Sequence, residues 1–123
     1  MKTATGFERA RKLTATLPEV EVGIAWGTPA LKVKGKMFAC IPTNRAAEPN
    51  SLVVCVDFAQ RDELIAADPE AYYLKEHYED YPAVLVRLPK IRDDALRDLL
   101  LMAWKFVASR AKQKRGSRSR RRS

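Results

Sequence analysis

All of the net charge of this chain sits at one end of it. Residues 110–123 hold Arg110, Lys112, Lys114, Arg115, Arg118, Arg120, Arg121 and Arg122 with no acid among them, so eight of the 23 Lys and Arg fall there and the remaining fifteen balance the 15 Asp and Glu. Like charges at this density repel, and beyond residue 109 no large apolar side chain offers burial in return for ordering. The folded unit is therefore expected within residues 1–109, and residues 110–123 are expected to form a disordered polybasic tail. The formal charge of +8 and pI near 9.8 describe a neutral body with a polycation attached. Attraction to phosphate should then reside in the tail.

A neutral body of 109 residues is large enough to bury one core without a staple. Two cysteines in the chain are too few for a disulfide framework, and no apolar run follows Met1 that would read as a secretory signal. The longest apolar stretches, such as residues 99–104, are far shorter than the roughly 20 residues of a membrane span. A cytoplasmic, reducing compartment fits these features.

Thr5 and Glu8 have capping-box spacing, and Phe7, Ala10, Leu13 and Leu17 recur at helical spacing until Pro18, which predicts a first helix over residues 6–17. Segments rich in β-formers follow at 20–26, 30–34, 36–41 and 52–58, with a tight hairpin at Gly35 and a surface loop over 42–51. Residues 60–67, after Asp57, read as a short helix ended by Asp68-Pro69. Strands are expected at 72–76 and 83–88. Past Pro89, Asp93 and Asp94 suit a helix start, and Leu96, Leu99, Leu100, Ala103, Trp104 and Val107 mark one face of a last helix. Leu101, Met102 and Phe106 widen that face, which implies deep burial or a partner. The order α-β(3–4)-α-β(2)-α predicts an α+β fold, helices packed on an antiparallel sheet.

Five runs occur in order: Leu17-Pro18-Glu19-Val20-Glu21, Trp26-Gly27-Thr28-Pro29-Ala30, Val33-Lys34-Gly35-Lys36-Met37-Phe38-Ala39, His77-Tyr78 through Tyr81-Pro82, and Val84-Leu85-Val86-Arg87-Leu88. In this combination the chain resembles the MmcQ/YjbR-like family of small bacterial proteins. The resemblance implies an α+β fold similar to the type III secretion chaperones and DNA binding through a double-wing arrangement of β-hairpins. The polybasic tail lies outside the family core.

Three groups of residues are candidates for binding. Lys32, Lys34 and Lys36 alternate about the hairpin and, with Arg45 and Arg61, could form a basic wing against phosphates; the alternative is an edge strand protected by lysines. Trp26, His77 and Tyr78 could stack on a base or line a ligand site, or could be packed turn residues. Arg110, Lys112, Lys114, Arg115, Arg118, Arg120, Arg121 and Arg122 point to polyanion binding. Cys40 and Cys55 should be diagonal neighbours on adjacent strands; with one histidine and no CxxC spacing they read as buried thiols, and no metal or cofactor is expected. No phosphate-binding glycine loop, HExxH or nucleophile elbow occurs in the sequence, so no enzyme is expected. Two functions compete: a non-enzymatic nucleic-acid-binding protein, DNA before RNA and weakly sequence-selective, or a protein-interaction module resembling a secretion chaperone, acting on a polypeptide partner or as a homodimer.

Overall fold

The computed structural model describes every residue except Met1, Trp26, 43–46, Pro49 and 122–123; for residues 2–5, His77 and 111–121 it describes the backbone alone. Two features set the layout of the N-terminal half. Lys34 and Gly35 take φ of 53° and 79°, the two positive values that a two-residue type I′ turn requires, and they join β2 (Thr28–Val33) to β3 (Lys36–Cys40). Gly27, at φ 76°, turns β1 (Val20–Ala25) into β2. With β4 (Ser51–Cys55), β5 (Tyr72–Tyr73) and β6 (Ala83–Arg87) these strands build one antiparallel six-stranded sheet in the order β1-β2-β3-β4-β6-β5.

Period-two alternation then sorts the side chains between two faces. Leu31, Val33, Leu52, Val54, Val84 and Val86 point to one face, where helix α1 (Lys2–Leu13) and helix α3 (Asp93–Arg121) cover them. Phe38 and, from α3, Leu96, Leu99, Leu100, Ala103 and Val107 complete that core. Fully burying a Leu or Phe of this kind contributes about 1.5–3 kcal/mol, so this layer carries most of the fold's stability. On the other face Ala30, Cys40, Val53 and Leu85 make a smaller cluster capped by Tyr73 and Tyr78. Helix α2 (Phe58–Ala67) flanks β5 and β6 and begins at Asp57, whose carboxylate accepts from the Gln60 amide at 2.7 Å.

Three arginines tie the loops down. Arg9 donates to Asp93 at 2.7 Å and to the carbonyls of Leu88 and Ile91 at 2.8 and 2.6 Å, pinning α1 to the start of α3. Arg87 donates from Nε and Nη2 to the two oxygens of the Glu48 carboxylate and from Nη1 to the Pro69 and Glu70 carbonyls, and it lies 4.2 Å over the Tyr73 ring. Arg61 donates to the carbonyls of Glu79 and Tyr81 at 3.1 and 2.9 Å.

Several boundaries differ from the sequence expectation for local reasons. Helix α1 starts at Lys2 and ends at Leu13 instead of spanning 6–17. Glu8 does not close a capping box, since its carboxylate pairs with Arg11 inside the helix. The end comes early because the Thr14 hydroxyl and amide both bond back to Ala10 and Arg11, tightening the last turn. The strand expected over 52–58 stops at Cys55, where Asp57 begins α2. That over 72–76 shrinks to Tyr72–Tyr73, because the chain folds into a 3-10 turn at Glu76–Tyr78 closed by Tyr78 N to Lys75 O at 2.8 Å. The largest difference is at the C-terminus, where α3 continues as helix to Arg121 through the segment expected to be disordered. Ala, Lys, Gln and Arg are good helix formers, and cations near a helix C-terminus complement its dipole, so helix is a physical option there once α3 is nucleated by its buried half.

Candidate nucleic-acid interface

The candidate cations of the body differ in what already surrounds them. In the hairpin, the Lys34 ammonium sits 3.1 Å from Glu19. Lys32 is directly opposite Glu21 in the β1–β2 register and lays its stem over Gly23, where a Cβ would meet the lysine Cε at 3.4 Å. Lys36 is exposed. The alternative role, edge protection, does not apply: β2 and β3 are interior strands, and β1 forms the edge beside them. Arg61 is not a surface cation either. It is 91% buried, with its guanidinium turned onto backbone carbonyls and 4.8 Å over the Phe58 ring. Arg45 lies outside the described residues.

Of the aromatic candidates, Tyr78 is the one whose side chain falls among the described residues. Tyr78 is only 3% exposed and belongs to the smaller core cluster, so its ring is not available to a base. Trp26 and the His77 side chain lie outside the described residues. Tyr73 is likewise interior: its hydroxyl shares a 2.6 Å hydrogen bond with Ser51 and accepts from the Glu48 amide at 2.8 Å.

Helix α3 carries the chain's excess of basic residues. Its buried half is fixed by Leu96, Leu99, Leu100, Ala103 and Val107, and by Trp104, whose indole N–H donates to the Pro18 carbonyl at 3.0 Å. The helical register then puts positions 110, 114, 118 and 121 at i, i+4, i+8 and i+11 along the same helix. Lys112, Arg115 and Arg120 occupy other positions around the helix, and Arg122 lies past the described residues. Just before this extension, α3 borders a groove of about 480 Å³ lined by Asp57, Gln60, Met102, Lys105, Phe106, Ser109 and Arg110. The Arg110 guanidinium rests 5.2 Å from the Phe106 ring. The residues that widened the apolar face are thus partly accounted for: Met102 and Phe106 pack against the core on one side and line this groove on the other. Lys105 escaped the sequence reading because nothing in its spacing links it to Asp57 and Gln60, about 45 positions away; the only signal was its place before Phe106.

Cys40 and Cys55 fall on one face in the β3–β4 register, and burial, with the neighbouring thiol adding for Cys40, pushes each up to about 12. Both stay protonated at neutral pH, and the Cys55 thiol donates toward the Met37 carbonyl at 3.5 Å. Among the described residues no group of three or more His, Cys, Asp or Glu could hold a metal ion. Among them, too, no helix is long and apolar enough to cross a membrane.

An antiparallel sheet with two long helices on one face defines an α+β domain, and a solved structure shares it. The crystal structure of protein DR2400 of Deinococcus radiodurans, which carries a DUF419 domain, superposes with a TM-score of 0.63 over 79% of this chain and 74% of that one, at 25% identity. The YjbR family model matches residues 15–106, which is most of the chain, and the protein belongs to the YjbR family. Among curated relatives, the uncharacterized proteins Rv2570 of Mycobacterium tuberculosis and Mb2600 of Mycobacterium bovis are 44% identical over 45 residues, 37% of this chain. That match spans about a third of their length, 35%. The family match ends at Phe106, so the cationic extension of α3 lies beyond it.

Proposed function

We propose that the protein binds nucleic acid, DNA in the first instance, through the cationic extension of α3, in the bacterial cytoplasm and without a chemical step. One observation carries the reading: all net charge of the chain lies on a segment continuous with its best-anchored helix. Contacts from such a segment go to phosphates, which fix affinity but carry no base information. Binding is therefore weakly sequence-selective. The β2–β3 hairpin, a wing in the arrangement that the family resemblance implies, contributes less than its three lysines suggest, because Lys34 is ion-paired and Lys32 faces Glu21. Replacing Arg110, Lys114, Arg118 and Arg121 together by Gln is expected to weaken binding to unrelated duplexes by the same factor. A loss confined to one sequence would point to base readout and count against the proposal.

The groove at the root of the extension favours a second reading, capture of a polypeptide. Met102 and Phe106 offer it apolar surface between Lys105 and Arg110. If that reading holds, Phe106→Asp abolishes partner capture while leaving DNA affinity within a few-fold.

A further inference from the structure

Strand β1 is the outermost strand on one side of the sheet, and no strand among the described residues pairs with its outer edge. The direction of its backbone groups follows from one hydrogen bond. The Ile41 amide donates to the Pro29 carbonyl at 3.2 Å, so Pro29 and, two residues on, Leu31 turn their backbone groups toward β3. Thr28 and Ala30 then turn theirs toward β1, where they meet Ala25 and Gly23. By the same alternation Val20, Val22 and Ile24 direct their amides and carbonyls outward, away from the sheet. The side chains of these three residues lie on the helix-bearing face, and there Val22 and Ile24 are 59% and 60% exposed.

Natural sheets blunt such edges with a central lysine, a proline or a bulge. The strand Val-Glu-Val-Gly-Ile-Ala has none of these, and the register irregularity of the sheet lies between β2 and β3. Its one charge, Glu21, is on the opposite face, across from Lys32.

We propose that β1 pairs antiparallel with β1 of a second copy of this chain about a two-fold axis through Val22, joining the two sheets into one. The strand is self-complementary in that register. Val22 meets its own counterpart, Val20 meets Ile24, and Glu21 meets Gly23, so each opposed pair on the helix-bearing face is apolar and no two carboxylates oppose. Residues 20, 22 and 24 are also the ones whose backbone groups point outward, so they would form the hydrogen-bonded pairs. A slip of one residue would set Val22 and Ile24 against the face that carries Glu21 and Gly23. Both helix layers would fall on the same side of the joined sheet.

The mass of the full chain by light scattering or sedimentation, followed from micromolar to millimolar concentration, is expected to rise toward twice that of the monomer. Val22→Lys, at an exposed position, puts two ammonium groups at the two-fold axis and should hold the mass at the monomer with an unchanged circular dichroism spectrum. Register is tested by crosslinking. Opposed residues of a hydrogen-bonded pair are about 5.5 Å apart at Cα, within disulfide range. Val22→Cys should therefore oxidise to a covalent dimer, and Ile24→Cys should not. A monomer throughout, a dimer untouched by Val22→Lys, or equal crosslinking of the two cysteine variants would each overturn the proposal; a monomer would leave the edge to a strand of another protein.

Discussion

At the scale of single residues, what the sequence showed was local and what it hid was distant. The cap at Asp57 and the turn at Gly35 depend on neighbours within a few positions, and both could be read directly. Arg9, Arg61 and Arg87 could not, because their partners lie up to 84 residues away and nothing in the spacing names them. Tyr78 stayed open between stacking and packing for the same reason, because an aromatic in a polar loop is buried or exposed according to what the loop folds onto. Burial leads to three residue-scale predictions. Phe38 is fully buried at the centre of the larger core, so Phe38→Ala should lower unfolding free energy by about 3–5 kcal/mol in urea titrations. Cys40 and Cys55 are held protonated up to about 12, whereas in the unfolded chain they ionise near ~8.5. A raised folded value means that the stabilising contribution is complete below the unfolded value and is lost as pH climbs toward about 12. Stability should thus fall between about pH 8.5 and 12, and less so in a Cys40→Ala, Cys55→Ala double variant compared with itself at neutral pH. At pH 8 both thiols should resist a disulfide reagent in the folded protein and react in denaturant.

Among the elements, types were more legible than limits. Each helix and strand core expected from periodicity is present, since a period of 2 or 3.6 in apolar residues records which face is buried. Ends failed where a side chain competed with the ladder, as Thr14 does by bonding back to Ala10 and Arg11. Strand order was not legible: β6 lies between β4 and β5, and this arrangement rests on long-range pairing such as Val53 with Leu85. The C-terminal half of α3 is the sharpest case, because composition argues for disorder while the helix of which it is part argues for propagation. Gly116 lies within it, and Gly costs roughly 1 kcal/mol against Ala inside a helix. Gly116→Ala is expected to deepen the 222 nm circular dichroism signal, and DNA, by screening the repulsion among the cations, should deepen it further in both forms. An unchanged signal in each comparison would mean that the extension is not helical in solution.

On the scale of the whole molecule, charge is divided unevenly along the chain. The body balances its own charges, and its arginines are used to hold loops: Arg9, Arg61 and Arg87 all end on backbone carbonyls or carboxylates. The extension has no acid in its sequence to balance its eight cations. This division was legible from the first fourteen positions counted back from the end, because counting charge requires no fold. Which body cations are spent was not legible, because pairing requires one. The central claim is that affinity for DNA comes from the α3 extension by displacement of counterions. It is tested most directly by the salt dependence of duplex binding, measured for the full chain and for a chain ending at residue 109. Each phosphate neutralised contributes about 0.9 to the slope of log affinity against log salt, so partial engagement of the extension's cations gives a magnitude of about 3–6. The shorter chain should show a slope near zero and weakened binding to every sequence alike. A full chain that binds without salt dependence, or a shorter chain that keeps the full slope, would contradict the claim.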